Sequence, residues 1–388
     1  MKITWKKVLL LALFVLVLTA LFVVGASATV TDTQESTSVA SYTDDASGAT
    51  KYTDSLTDAI TNAKAGSTIT LLNEVNTGAD KFTINKTLTI DGNATAKHTI
   101  TSSAADPLFT VSAGFTLQNV NVEGVAVLAD VSGSGALNIT NSTVTGTGRV
   151  IRFNTYTGIA TISGSTINGS GDSILFVNNT GVSNFDLNVE NNSHLNGTAS
   201  TRPIWRWAKG NGSNVDITIT DSTLTSASSI GVILEGGTTG AFNMTRSTLN
   251  AASFGLQIKA ASAQVTLDDV DITSPSWAVT FQANDINVEI KGGSNIVSTG
   301  CNAIGFWNPG TLTVTGSTLE SKATAATQSD ANWRAAIWVQ GKTPTINISG
   351  ATNLIGEKTI TAAASAPRSS TRRLPMHSTM LWQMIRST

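Results

Sequence analysis

The sequence predicts an all-β chain folded as a single-stranded right-handed parallel β-helix, a solenoid of about 10–12 coils with a short N-terminal capping helix. Three observations carry that expectation. Charged residues are only 13% and aromatics 6% of the 388 residues, while Gly numbers 33 and Thr, Ser and Asn are abundant, a composition of short strands and turns. A phrase of two alternating apolar residues, a turn and a third apolar residue recurs with a drifting period of about 25 residues. A helix-capping pattern stands just ahead of the first repeat.

Taken in order, Lys2, Lys6 and Lys7 precede an apolar run from Val8 to Val24 that ends at Gly25, Ala26, Ser27 and Ala28. Basic residues, an apolar stretch and a small-residue cut site are the parts of a secretory signal peptide, which predicts residues 1–28 as a leader and no membrane span after cleavage. Residues 29–50 show no periodicity and read as a flexible linker. A short helix follows: Asp54 or Ser55 caps it, Asp58 stands three after Ser55, Leu56, Ile60 and Ala63 share a face, and Gly66 stops it. The strand from Thr68 to Leu72 then opens the repeat, which extends over 51–361.

Aligned on its third apolar residue, the phrase places Val122, Val144, Ile167, Leu195, Leu224, Leu249, Ile272, Ile296, Leu319 and Leu354 in one column, at intervals of 22, 23, 28, 29, 25, 23, 24, 23 and 35 residues. The preceding pairs, among them Phe115/Leu117, Leu137/Ile139, Ile217/Ile219 and Leu312/Val314, alternate with period two and are strands. Between pair and third residue stand Asn119, Asn141, Gly164, Asp221, Arg246, Asp269 and Gly316, most of them residue types that tolerate a left-handed backbone. A further strand follows each loop, with inward pairs expected at Ile151/Phe153, Val232/Leu234, Leu256/Ile258, Val279/Phe281, Ile304/Phe306 and Ala336/Trp338. Propeller blades need a longer repeat, and leucine-rich repeats need a Leu-dominated consensus that is absent here.

Beyond 361 the pattern stops. Residues 362–388 hold no acidic residue and include Arg368, Arg372, Arg373 and Arg386, a basic tail outside the repeat, of the kind a frameshift or truncation leaves. With leader and tail set aside, the body carries 17 Lys and Arg against 26 Asp and Glu, a net charge near −9. A nucleic-acid partner is disfavoured, because phosphate binding needs a basic stripe. Cys301 is the sole cysteine, so packing rather than disulfides must stabilise an extracellular chain.

The run from Asp54 to Asn93, with Ser55-Leu56-Thr57-Asp58-Ala59-Ile60, Ala65-Gly66-Ser67-Thr68-Ile69 and Leu88-Thr89-Ile90-Asp91-Gly92-Asn93, resembles the cap and first coils of pectate-lyase-like β-helix proteins. It is particularly similar to large adhesin-like surface proteins of Gram-positive bacteria. The resemblance covers roughly 51–361 and implies the fold, together with a secreted or cell-surface, structural or adhesive role and an extracellular polysaccharide or host-cell glycan as partner. It does not by itself imply an activity, since this fold hosts lyases, hydrolases and inert stalks alike.

Three groups of residues are candidates for chemistry. Arg152 and Arg206 are expected in one outward column two coils apart, with Asp172 in a loop between them, a cation–carboxylate set suited to an acidic polysaccharide lyase or hydrolase. Lyases of this fold also use calcium held by several aspartates on that face, and no second or third Asp occupies the column. Asp268, Asp269 and Asp271 form the densest acidic cluster and are the candidate calcium ligands, since hard cations want several oxygens. The paired carboxylates of a glycosidase are not matched, and His98, His194 and His377 lack the histidine context of such hydrolases. Trp277, Trp307 and Trp333 are expected to project from loops and stack on sugar rings, while Trp338 and one of Trp205 and Trp207 are expected in the core. The longest loops, 198–203 and 320–334, lie on the same side.

Overall fold

A seven-residue helix, α1 (Leu56–Asn62), sits where the capping pattern placed it. Ser55 is the N-cap, its Oγ accepting the Asp58 N–H at 3.2 Å, and Leu56, Ala59 and Ile60 are buried. The computed structural model describes residues 29–179, 184–208, 214–236, 240–340, 344–363 and 385–387. The expected leader over 1–28 and the tail over 364–384 lie outside the described residues. Ile385–Ser387 adds a parallel strand beside Thr345–Ser349. Among the described residues no helix is long and apolar enough to cross a membrane.

Between Thr68 and Ala363 the described residues form a right-handed parallel β-helix, the hand that crossover connections between parallel strands take. Each full coil runs through a strand of sheet 1, a tight corner, a strand of sheet 2, a loop and a strand of sheet 3. Sheets 2 and 3 contain 12 strands each. At ~4.8 Å per strand the stack is roughly 50 Å long.

The period-two pattern becomes ladders of identical register. Ile69, Ile90, Leu117, Ile139, Ile162, Val189, Ile219, Met244, Leu267, Ile290 and Val314 form one unbroken inward column of sheet 1, every member at most 1% exposed. The predicted third-residue column, Val122 to Leu319, is the inward column of sheet 2 and is fully buried. Each such side chain contributes about 1.5–3 kcal/mol by burial. The corners between sheets 1 and 2 are left-handed: φ is +55° at Asn119, +48° at Asn141, +49° at Asp221, +45° at Arg246 and +55° at Asp269, with Gly164 and Gly316 at +58°.

Just past that corner runs a column of buried serines. Ser142, Ser165, Ser193, Ser222, Ser247 and Ser294 each donate to a carbonyl of their own corner and accept the backbone N–H of the preceding coil, at 3.0–3.3 Å. The corner leaves one N–H per coil outside the sheet ladders, and a hydroxyl is small enough to reach it without displacing the apolar column.

Two expectations need correction. Residues 29–50 are not a linker. Ala40–Thr43 pairs antiparallel with Thr50–Thr53 and with Thr68–Leu71, extending sheet 1 past its first parallel strand. Ala40 and Tyr42 are buried in the core, so two apolar residues two apart sufficed for a strand despite the polar surroundings. In the strand Ala335–Gln340 the inward pair is Ile337 and Val339, in register with Ile304 and Phe306, and Trp338 faces outward. Five apolar residues in succession, Ala335 to Val339, leave the phase of that strand undetermined by pattern.

Candidate functional site

The outward face of sheet 3 carries most of the described aromatic residues outside the core. One outward column runs Asp130, Arg152, Phe176, Trp205, Ile233, Gln257, Thr280, Gly305 and Trp338. Registers therefore place Arg152 in line with Trp205, not with Arg206. Arg206 occupies the adjacent inward column between Val177 and Leu234 and is 1% exposed. Burial pulls its guanidinium below the ordinary arginine value. The expected Arg152–Asp172–Arg206 set does not form, because Ile204 and Arg206, not Trp205 and Trp207, take the inward phase of strand Arg202–Ala208.

Each member of the expected set has another role. Arg152 forms a forked ion pair with Asp130 on the preceding strand. Asp172 accepts from Arg149 Nε at 3.0 Å and from a terminal nitrogen of Arg202 at 2.7 Å. Arg149 lies 3.7 Å above the Phe176 ring, and Arg202 lies 4.5 Å from the Trp205 ring. Trp205 donates Nε1 to Glu235 at 3.1 Å, and Lys259 donates to the same carboxylate at 3.0 Å. Burial pushes the Glu235 carboxyl up, but these two hydrogen bonds hold it below its usual value. The carboxylates of this region, Asp130, Asp172 and Glu235, are each paired with a cation. Sequence reasoning passed over Arg149 and Arg202. Their signal was position: Arg149 stands in the loop just before a sheet-3 strand, as Asp172 does, and Arg202 is the first residue of the next one.

The second group lies farther along the same face. Trp277 is its centre, with ring centroids 4.9 Å from Trp307, 6.0 Å from Trp333 and 5.2 Å from Trp338. Trp307 and Trp338 are 5.0 Å apart. Three successive coils converge here, with Phe254 and Cys301 packed against the rings. Trp277 does not project: it is 5% exposed, while Trp333 is 39% exposed and Trp307 is partly open. Trp338 belongs to this outward cluster rather than to the interior. The burial of large rings on the outside of the sheet is possible because position 305 is glycine; a Cβ there would stand 2.4 Å from the Trp277 ring and 2.7 Å from that of Trp307. Two polar atoms in this strip, Trp338 Nε1 and Thr280 Oγ1, are buried without a hydrogen-bond partner.

The three aspartates do not converge: among the described residues no group of three or more His, Cys, Asp or Glu side chains is placed to hold a metal ion. Asp268 ends a strand of sheet 1, Asp269 is the left-handed corner and Asp271 opens a strand of sheet 2, so the chain changes direction between them. Cations already face two of the three, Asp268 and Asp269. Arg246, raised chiefly by its bond to Asp221, also feels Asp269 and Asp268, and Lys291, raised chiefly by Glu289, feels Asp268.

No family model matches the chain, and no curated protein matches it. Among solved structures, the A-module of the mannuronan C-5 epimerase AlgE6 from Azotobacter vinelandii is similar, with a TM-score of 0.45 and 12% identity, over 78% of this chain and 89% of that one.

Proposed function

We propose that this protein is an extracellular β-helix, associated with a cell surface, that binds a polysaccharide on the outward face of sheet 3 and acts as a structural or adhesive rod. The carrying observation is the cluster of Trp277, Trp307, Trp333 and Trp338, drawn from three successive coils onto one face. Trp333 is exposed and Trp307 partly so, and a sugar's apolar face stacks on accessible indole rings while its hydroxyls stay wet. The unbonded Trp338 Nε1 and Thr280 Oγ1 are polar groups of the kind that reward a hydroxyl brought close by small ring movements. The basic, apolar and small-residue order of residues 1–28 supports export. An enzyme acting through Arg152, Asp172 and Arg206 has lost its constellation, since these three do not face one another.

The test is retention on immobilised neutral and acidic polysaccharides. Trp307→Ala and Trp333→Ala are expected to weaken retention by about tenfold each, the scale of a lost aromatic anchor, with little change in melting temperature. Undiminished retention in both variants would remove the platform reading. Shortening of the polysaccharide chains with time would instead mark a catalytic site elsewhere.

A further inference from the structure

The loop that carries Trp333 is the widest departure from the repeat, and buried polar groups from two neighbouring coils attach it. From the preceding coil, Asn302, fully buried, donates its side-chain amide to the carbonyls of Asn332 and Ala335 at 3.1 and 3.0 Å. From the following coil, Thr361 Oγ1 donates to the Asn332 carbonyl at 2.8 Å. Arg334, next in sequence to Trp333, is only 7% exposed. Its Nε and one terminal nitrogen donate to the two carboxylate oxygens of Glu357. Its other terminal nitrogen donates back into the loop, to the carbonyls of Gln328 at 2.7 Å and Ser329 at 3.3 Å. The Glu357 N–H returns a bond to the Arg334 carbonyl at 3.0 Å.

A forked guanidinium–carboxylate pair fixes orientation as well as distance. Here it ties both limbs of the loop to the next coil, one residue from the exposed indole. We propose that Arg334 and Glu357 form the clasp that positions Trp333 on the platform, so that a glycan held on this face is released when Glu357 takes up a proton. The inference rests on the platform reading above and adds its regulation. Arg334 and Glu357 are positioning residues, since neither presents a side chain to the stacked sugar.

The groups that bear on the titration are few. Glu357 faces Arg334 and, more weakly, Lys358, whose Nζ lies 3.5 Å from Asn332 Oδ1. Arg334 faces Glu357 and Asp330, and Asp330 caps the short turn Ala331–Arg334. The thiol of Cys301 is pushed up to about 11 by burial and stays neutral across the acid range. The bond from Arg334 holds the Glu357 carboxyl below its usual value. A carboxyl depressed in the folded state keeps its contribution above the unfolded value and loses it as pH falls through the folded one. Binding is therefore complete at neutral pH and fails at the acid end of the carboxylate range.

The experiment compares the full chain with Glu357→Gln, Arg334→Lys and Trp333→Ala, reading glycan retention and the near-ultraviolet circular dichroism of the coupled indoles from neutral pH downward. Wild type should lose about tenfold in retention across an acid step, with the indole signal changing in parallel. Glu357→Gln and Arg334→Lys should bind about tenfold more weakly already at neutral pH, show the altered indole signal there, and lack the step. If both clasp variants bind and titrate like wild type while Trp333→Ala does not bind, the clasp is wrong and the platform stands. If Trp333→Ala and Trp307→Ala both bind like wild type, the platform and the clasp's part in binding fall together.

Discussion

At the scale of single residues, what a side chain does is set by which side of the strand it leaves. Gly305 shows this most directly. It lies in the outward column between Thr280 and Trp338, and the space its missing Cβ leaves is filled by Trp277 and Trp307. Gly305→Ala should push the two rings apart and cost about 1–3 kcal/mol, the range for overpacking. Urea unfolding reads the loss, and weakened glycan retention should accompany it; an alanine variant with native stability and native retention would show that the rings do not depend on this gap. Arg206 is the opposite case, and it marks the limit of pattern reading. In the segment Arg202 to Ala208 charged, aromatic and aliphatic residues follow one another without alternation, so polarity put Arg206 outside whereas registry with Val177 and Leu234 puts it inside. The tryptophans were legible as a group because they fall together in sheet-3 strands and the segments that flank them. Their individual exposures were not, since those depend on one ring covering another across coils.

At the scale of elements, corners and columns were readable wherever one residue type repeats in one place. The corner positions Asn119, Asn141, Asp221 and Asp269 were recognisable because a left-handed backbone narrows the choice of side chain. The serine column beside them carried the same kind of signal and went unread, because Ser in a Ser- and Thr-rich chain looks like surface. Its consequence is testable. Ser193 Oγ accepts the Ser165 N–H at 3.2 Å and donates to the Glu190 carbonyl at 2.6 Å, with Ser193 itself fully buried. Ser193→Ala leaves that N–H with no partner, which costs about 1–3 kcal/mol. Chemical denaturation should show the loss, and amide exchange at Ser165 should quicken in step. A Ser193→Ala variant as stable as wild type would mean that water replaces the hydroxyl at this corner.

At the scale of the whole molecule, stability is a sum of stacked neighbours, and a coil is worth what its two sides bury. At the N-terminal end α1 and the antiparallel pair Ala40–Thr43 and Thr50–Thr53 cover the first coils, which is why Ile69 and Leu71 are as buried as residues in the middle of the stack. That cover was half legible: the helix announced itself by its capping box, whereas a strand with only Ala40 and Tyr42 facing inward offered too short a pattern. Toward the other end the columns thin, for Leu354 is only partly buried and Ile355 is 46% exposed. The same chemical change should therefore have different consequences along one column. Leu249→Ala, between fully buried Leu224 and Ile272, removes a side chain packed from both sides and should lower the unfolding free energy by about 2–5 kcal/mol. Leu354→Ala should cost under about 1 kcal/mol, because a side chain partly open to solvent and packed from one side leaves little cavity behind. Hydrogen exchange should then find faster opening confined to the coil around residues 353–363, with the central coils unchanged. Equal losses at the two positions would mean that the rod unfolds as one unit with no gradient from middle to end, and the nearest-neighbour account would have to be given up.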